Sequence, residues 1–161
     1  MKRRHKKYSR PRTLYDKDRI EEENKLIKKY GLKNKREIWK TGARVGYLRN
    51  RAKKLITADK EEQERFFKKL RTIGLDVNSI ADVLALTKED IMKRRLSSIL
   101  TNKGIAKTPN EARQMILHKK VVVNNRAINV PSYLVKVGEE NAISVKKPIK
   151  ISEINKSEEA S

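Results

Sequence analysis

The chain has 161 residues, of which 41 are Lys or Arg and 20 are Asp or Glu, giving a formal net charge of +21 with 37% apolar residues. That length allows one domain or two small ones with modest cores, and self-repulsion of this size points to a permanent polyanionic partner. No apolar run approaches the ~20 residues of a membrane span, the N-terminus lacks the apolar core of a signal peptide, and zero cysteines remove disulfides, thiolate metal sites and cysteine nucleophiles; a cytoplasmic protein with no membrane contact is expected.

The charge is unevenly spread. Residues 1–60 hold 22 basic and 7 acidic side chains, residues 61–145 hold 15 and 10, and residues 146–161 hold 4 and 3, so the N-terminal third is the reservoir. Residues 1–15 read as a basic, disordered arm, because MKRRHKKYSRPR carries seven Lys and Arg and no acid. Arg3, Arg4, Lys6, Lys7 and Arg10 are candidate phosphate contacts there, with Tyr8 available to stack.

Asp16 or Asp18 opens the first helix, on a stripe of Ile20, Leu26, Ile27 and Tyr30, and Gly31 stops it. The run Glu21-Glu22-Glu23 reads as a surface that complements the helix dipole rather than as a metal site. Asn34 with Glu37 starts a longer helix to about Ile56. Ile38, Val45, Leu48, Ala52 and Leu55 fit one face of it, leaving Arg44, Arg49, Arg51, Lys53 and Lys54 elsewhere. No acid occurs between Glu37 and Asp59; a one-signed surface favours phosphate over plain solvation. Trp39 and Tyr47 could stack on bases, with a place in the core favoured for Trp39.

Asp59 and Glu62 are spaced as a capping box, ahead of Phe66, Phe67, Leu70, Ile73 and Gly74, a helix expected at the centre of the first core. A short helical piece follows from Ile80 to Leu86. Thr87 with Asp90 caps a helix on which Met92, Leu96, Ile99 and Leu100 keep 3.6-residue spacing, and Gly104 can close it in the left-handed region. Thr108 as N-cap, Pro109 at the first helical position and Glu111 three residues after the cap start the next helix. After His118 the period changes to two, and VVV and RAINV flank Asn124-Asn125, two residues that tolerate positive φ: a β-hairpin with a type I′ turn.

The spacing therefore predicts an α+β chain: a mostly α-helical domain over 16–89, then a small module over 90–145 with two helices packed on a short antiparallel sheet, and a flexible tail over 146–161. A face joining Arg94 and Arg95, Lys107, Arg113 and Gln114, and His118, Lys119 and Lys120 is the candidate phosphate-binding surface of the module, with amide donors at the helix start after Thr108. Arginine forks suit paired phosphate oxygens. Catalysis finds no support. Neither histidine has a serine or aspartate pattern beside it and there is no glycine-rich phosphate loop, so no cofactor or metal is expected.

Arg95-Leu96 with KGIAKTPNEARQMILH and VVVNNRAINVPSYLV resembles the RNA-binding motif named after small-subunit ribosomal protein S-four. The motif is also appended to some tRNA ligases, pseudouridine synthases and ribosome-rescue factors, so by itself it implies RNA binding only. IEEENKLIKKYGLKNKREIWK is similar to the N-terminal part of the archaeal and eukaryotic form of the ribosomal protein, and the resemblance covers roughly residues 8 to 145. It implies a structural constituent of the small subunit that binds the 5′ region of the subunit RNA early in assembly, one copy each, beside small-subunit protein S-five at a surface linked to decoding accuracy. A free-standing ribosome-rescue or assembly factor with the same motif is the alternative. In the family the corner at His118 lies against RNA. Some bacterial relatives carry an N-terminal zinc site built from cysteines, which this chain cannot form. Asn125 stands where glycine usually follows asparagine, Ser97 where many members have aspartate, and Asn102 where arginine is common.

Overall fold

A computed structural model describes residues 8–146. Expectations for Arg3, Arg4, Lys6 and Lys7 and for the chain from 147 onward lie outside those residues. Seven helices and three short strands follow in order: α1 (Lys17–Tyr30), α2 (Lys35–Leu55), α3 (Lys60–Thr72), α4 (Ile80–Ala85), α5 (Lys88–Lys93), α6 (Leu96–Asn102), α7 (Pro109–Leu117), β1 (Val121–Val123), β2 (Arg126–Ala127), a 3₁₀ turn over Val137–Ala142 and β3 (Ile143–Val145). The α+β class is as the spacing predicts.

Local bonds set most helix ends. Asp16 accepts the Arg19 amide at 3.2 Å and Gly31 closes α1 at φ +57°. Thr108 accepts the Glu111 amide at 3.2 Å, while the Glu111 carboxylate accepts from the Lys107 amide, one residue before the cap, at 2.8 Å. Asp90 accepts from the amide of Thr87 at 2.9 Å. Asp59 and Glu62 form no capping box. Asp59 makes no side-chain cap bond, and the Gln63 amide group reaches back instead to the Leu55 and Ala58 carbonyls.

Two cores and a smaller cluster hold these elements. The first joins Ala52 and Leu55 of α2 to Phe66, Phe67 and Leu70 of α3 and to Leu75, Val77, Val83 and Leu86. The second gathers Leu96, Ile99 and Leu100 of α6, Ala112 and Ile116 of α7, Val121 and Val123 of β1, and Val135. Between them Tyr30, Leu32, Ile38 and Met92 form the third, with Trp39 packed against it. Each fully buried aliphatic side chain contributes about 1.5–3 kcal/mol. Trp39 is half-buried and donates its indole N–H to Glu23 at 2.9 Å. Tyr8 lies with its ring centroid 6.1 Å from that of Trp39 and 6.0 Å from the Lys40 ammonium, so its partners within the chain are an indole and a lysine. Glu23, expected on the surface, is buried, with Arg19 at 3.6 Å and Lys35 at 3.4 Å.

The helix expected from Thr87 to Gly104 is two. α5 ends at Lys93 and α6 begins at Leu96, with Arg95 extended at φ −72°, ψ 146°. The backbone freed at the break is taken by the segment 133–135: the Leu96 amide donates to the Tyr133 carbonyl at 2.8 Å and the Val135 amide to the Arg94 carbonyl at 3.1 Å. Met92 and Leu96 share a helical period and yet enter different clusters, which one straight helix cannot arrange.

The sheet runs β2-β1-β3, all antiparallel, with Val123 opposite Arg126 on one side and Ile143 on the other. Asn124 (φ 48°) and Asn125 (φ 62°) both take the left-handed values of a type I′ turn. β2 is shorter than the expected RAINV, and β3 supplies the second partner strand. Val121 and Val123 point into the core, and Val122 between them is half-buried.

Candidate nucleic-acid interface

The first turn of α2 meets the face of α6 and α7 at a single carboxylate. Glu37 accepts from Arg95 through one oxygen and from Arg113 at 2.8 Å through the other, while a second Arg113 nitrogen lies 3.3 Å away and also reaches the Gly31 carbonyl at 3.4 Å. Glu37 also accepts from the Lys33 amide at 3.3 Å, one residue before the cap, while Asn34 makes no side-chain cap bond. Burial pushes the Glu37 carboxyl up, but the hydrogen bonds and charges of Arg113 and Arg95 outweigh it and hold the group below its ordinary value. Arg95 is 3% exposed.

Arg94 turns the other way. Its Nε donates to the Ile73 carbonyl at 2.7 Å, and Nη2 reaches the Val135 carbonyl at 3.2 Å and the Glu140 carboxylate. Two consecutive arginines at the helix break thus fasten the module to both α2 and the end of α3. Arg94, Arg95 and Arg113, expected on an open RNA face, are thus each engaged by acceptors of this chain. A guanidinium buried at a seam must be neutralised where it sits, and carboxylates and carbonyls of this chain do so.

The other predicted positions divide similarly. Arg51 stacks over the Phe66 ring at 5.3 Å, and Arg49 donates to the Leu86 carbonyl at 2.8 Å, so both also hold the helical unit together. The Thr108 hydroxyl is occupied by its cap. Arg10, Arg44, Lys53, Lys54, Lys107, Gln114, His118, Lys119 and Lys120 are exposed. Gln114, His118 and Lys120 surround a shallow hollow of about 280 Å³ with Glu111 and Met115, and Lys119 takes φ 55° at the corner after α7.

A larger cleft, about 960 Å³, opens between α2 and the segment 131–134. Arg36, Lys40, Arg44 and Tyr47 line it from α2, at steps of four, four and three that place them on one face. Arg95 and Arg113 also line it with the Glu37 carboxylate that they share, and Pro131, Ser132 and Leu134 supply the other lining. Sequence reasoning missed Arg36 and Lys40. Their spacing with Arg44 was the available signal, because it marks a cationic stripe free of acid beyond Glu37.

Helices fastened to a hairpin module, with a basic cleft at the joint, define an RNA-binding protein. Residues 94–141 match the family model of the S4 domain. The small ribosomal subunit protein uS4 of Thermoplasma volcanium is 43% identical over 149 residues, covering 87% of this chain and 74% of that protein. The uS4 proteins of Methanothermobacter thermautotrophicus (40% over 144 residues, 86% and 84% covered) and Korarchaeum cryptofilum (41% over 148 residues, 89% and 89% covered) are similar in the same way. The chain belongs to the archaeal-type uS4 family of small ribosomal subunit proteins, as the resemblance implied.

Proposed function

We propose that the chain is a structural constituent of the small ribosomal subunit and a primary binder of its RNA, one that nucleates assembly and supports translational accuracy without a chemical step of its own. The observation that carries this is the cleft: a cationic stripe along α2 runs into a joint bridged by Glu37, so the helical unit and the module present phosphate partners side by side. Membership in the uS4 family and the net charge of +21 support the same reading. The RNA-facing set consists of Arg10, Arg36, Lys40, Arg44, Lys53 and Lys54 on the helical unit and of Lys107, Gln114, His118, Lys119 and Lys120 on the module. Arg3, Arg4, Lys6 and Lys7 extend it along the arm. Recognition follows shape, phosphate and 2′-hydroxyl contacts where RNA helices meet. In the cytoplasm the protein sits in the subunit as a single copy next to small-subunit protein S-five.

Cofractionation tests the assignment. Small subunits sedimented through a high-salt gradient should retain the protein at one copy each, whereas recovery far below stoichiometry, with release by salt, would identify a transient factor instead.

A further inference from the structure

We propose that the cleft beside α2 takes an unpaired nucleotide of the RNA, its base stacked on Tyr47 and its neighbouring phosphates held by Arg36, Lys40 and Arg44; this rests on the RNA-binding reading above. Tyr47 is 62% exposed although it lies on a helix whose opposite face is core, so packing does not explain an aromatic ring there. Ala43, one turn earlier on the helix, is small and shares the cleft with the ring. Pro131 and Leu134 give the cleft apolar lining and Ser132 a hydroxyl.

Charge selects a nucleic acid for this space. Arg95 and Arg113 share the single carboxylate of Glu37, and among the described residues no carboxylate lies within ion-pair range of Arg36, Lys40 or Arg44. Ring stacking then selects an unpaired position, since a base inside a duplex has both faces covered by its neighbours and only an extruded or looped base offers a face to a side chain. The volume of about 960 Å³ is within the roughly 300–1,000 Å³ of pockets that hold small ligands, enough for a base with its sugar and open on the side where the strand continues.

The test uses the full chain with a transcript of the 5′ region of small-subunit RNA, comparing the parent, Tyr47→Phe and Tyr47→Leu in filter binding over a salt series, with dimethyl sulfate probing of the bound transcript. Tyr47→Leu should weaken binding by about 5- to 100-fold and Tyr47→Phe by less than about twofold, as expected for loss or retention of one stacked base. Both should keep the parent's salt slope, because every phosphate-binding cation is still present. Protection of one or a few unpaired bases should disappear with Tyr47→Leu and persist with Tyr47→Phe. Thermal melts should be alike for all three, leucine being a good helix former at an exposed site. Equal affinity and unchanged protections in Tyr47→Leu would overturn the nucleotide site while leaving RNA binding intact. Failure of the parent to bind the transcript would overturn the RNA-binding reading and the site with it.

Discussion

Glu37 accepts two guanidinium groups, one of them almost wholly out of solvent, and its removal strands a buried charge. Glu37→Gln is expected to cost about 2–3 kcal/mol at neutral pH, less than a fully broken buried pair because glutamine still offers one acceptor. The carboxyl is held below its ordinary value of 4.5 in the folded chain. Its contribution is therefore fully present above that value and is lost as pH falls through the lower folded one. Melting temperatures of parent and variant should differ by a constant gap from neutral pH down to about 5 and converge below it; a gap independent of acid would mean that the carboxylate's charge is not what Arg95 requires. Arg113→Ala should likewise lower stability, where a surface arginine would not. Asn125 offers an opposite case. It holds φ 62° where glycine meets no Cβ penalty, so Asn125→Gly should leave the melting temperature equal or slightly raised, and a clear drop would contradict the turn geometry.

At the level of elements, the legible features were those decided within four residues. Asp16, Thr108-Pro109, Gly31 and the Asn124-Asn125 pair each announce a backbone state, and each element end stands where its cap does. The break at Arg94-Arg95 was not legible. Its apolar period is unbroken, and only the segment 133–135, about forty residues later in the chain, claims the amide and carbonyl that a continuous helix would use. One element contact rests on a missing side chain: a Cβ on Gly31 would come within 2.8 Å of the Pro109 backbone, whereas one on Gly104 would meet nothing within 4 Å. Both glycines have positive φ. Gly104→Ala should cost only the left-handed penalty, about 1–2 kcal/mol. Gly31→Ala should cost clearly more, since α1 and α7 must also move apart. Equal denaturant midpoints for the two variants would show that this approach does not constrain the joint.

For the molecule as a whole, composition was enough to predict a polyanionic partner but not which cations meet it. Five predicted arginines, Arg49, Arg51, Arg94, Arg95 and Arg113, bind acceptors or a ring within the chain. The identity of a guanidinium's partner is a tertiary fact, and Glu37 lies 58 residues before Arg95. Among the described residues, cations without a carboxylate partner remain along α2 and at the α7–β1 corner. Deleting residues 1–12, which removes seven Lys and Arg, should flatten the log-log salt dependence of RNA binding by roughly 0.7 to 0.9 for each phosphate that those side chains neutralise. An unchanged slope would leave the arm as no more than a solubilising extension.

The 58 residues that separate Glu37 from Arg95 also set a clock. Chains emerge from synthesis at about 5–20 residues per second, so the carboxylate is in place roughly 3 to 12 s before its buried arginine exists. For that interval the newborn helical unit presents a solvated acid in the first turn of α2. The arrival of Arg95, then of Arg113, covers it, and the cationic cleft is complete only when most of the chain has been made.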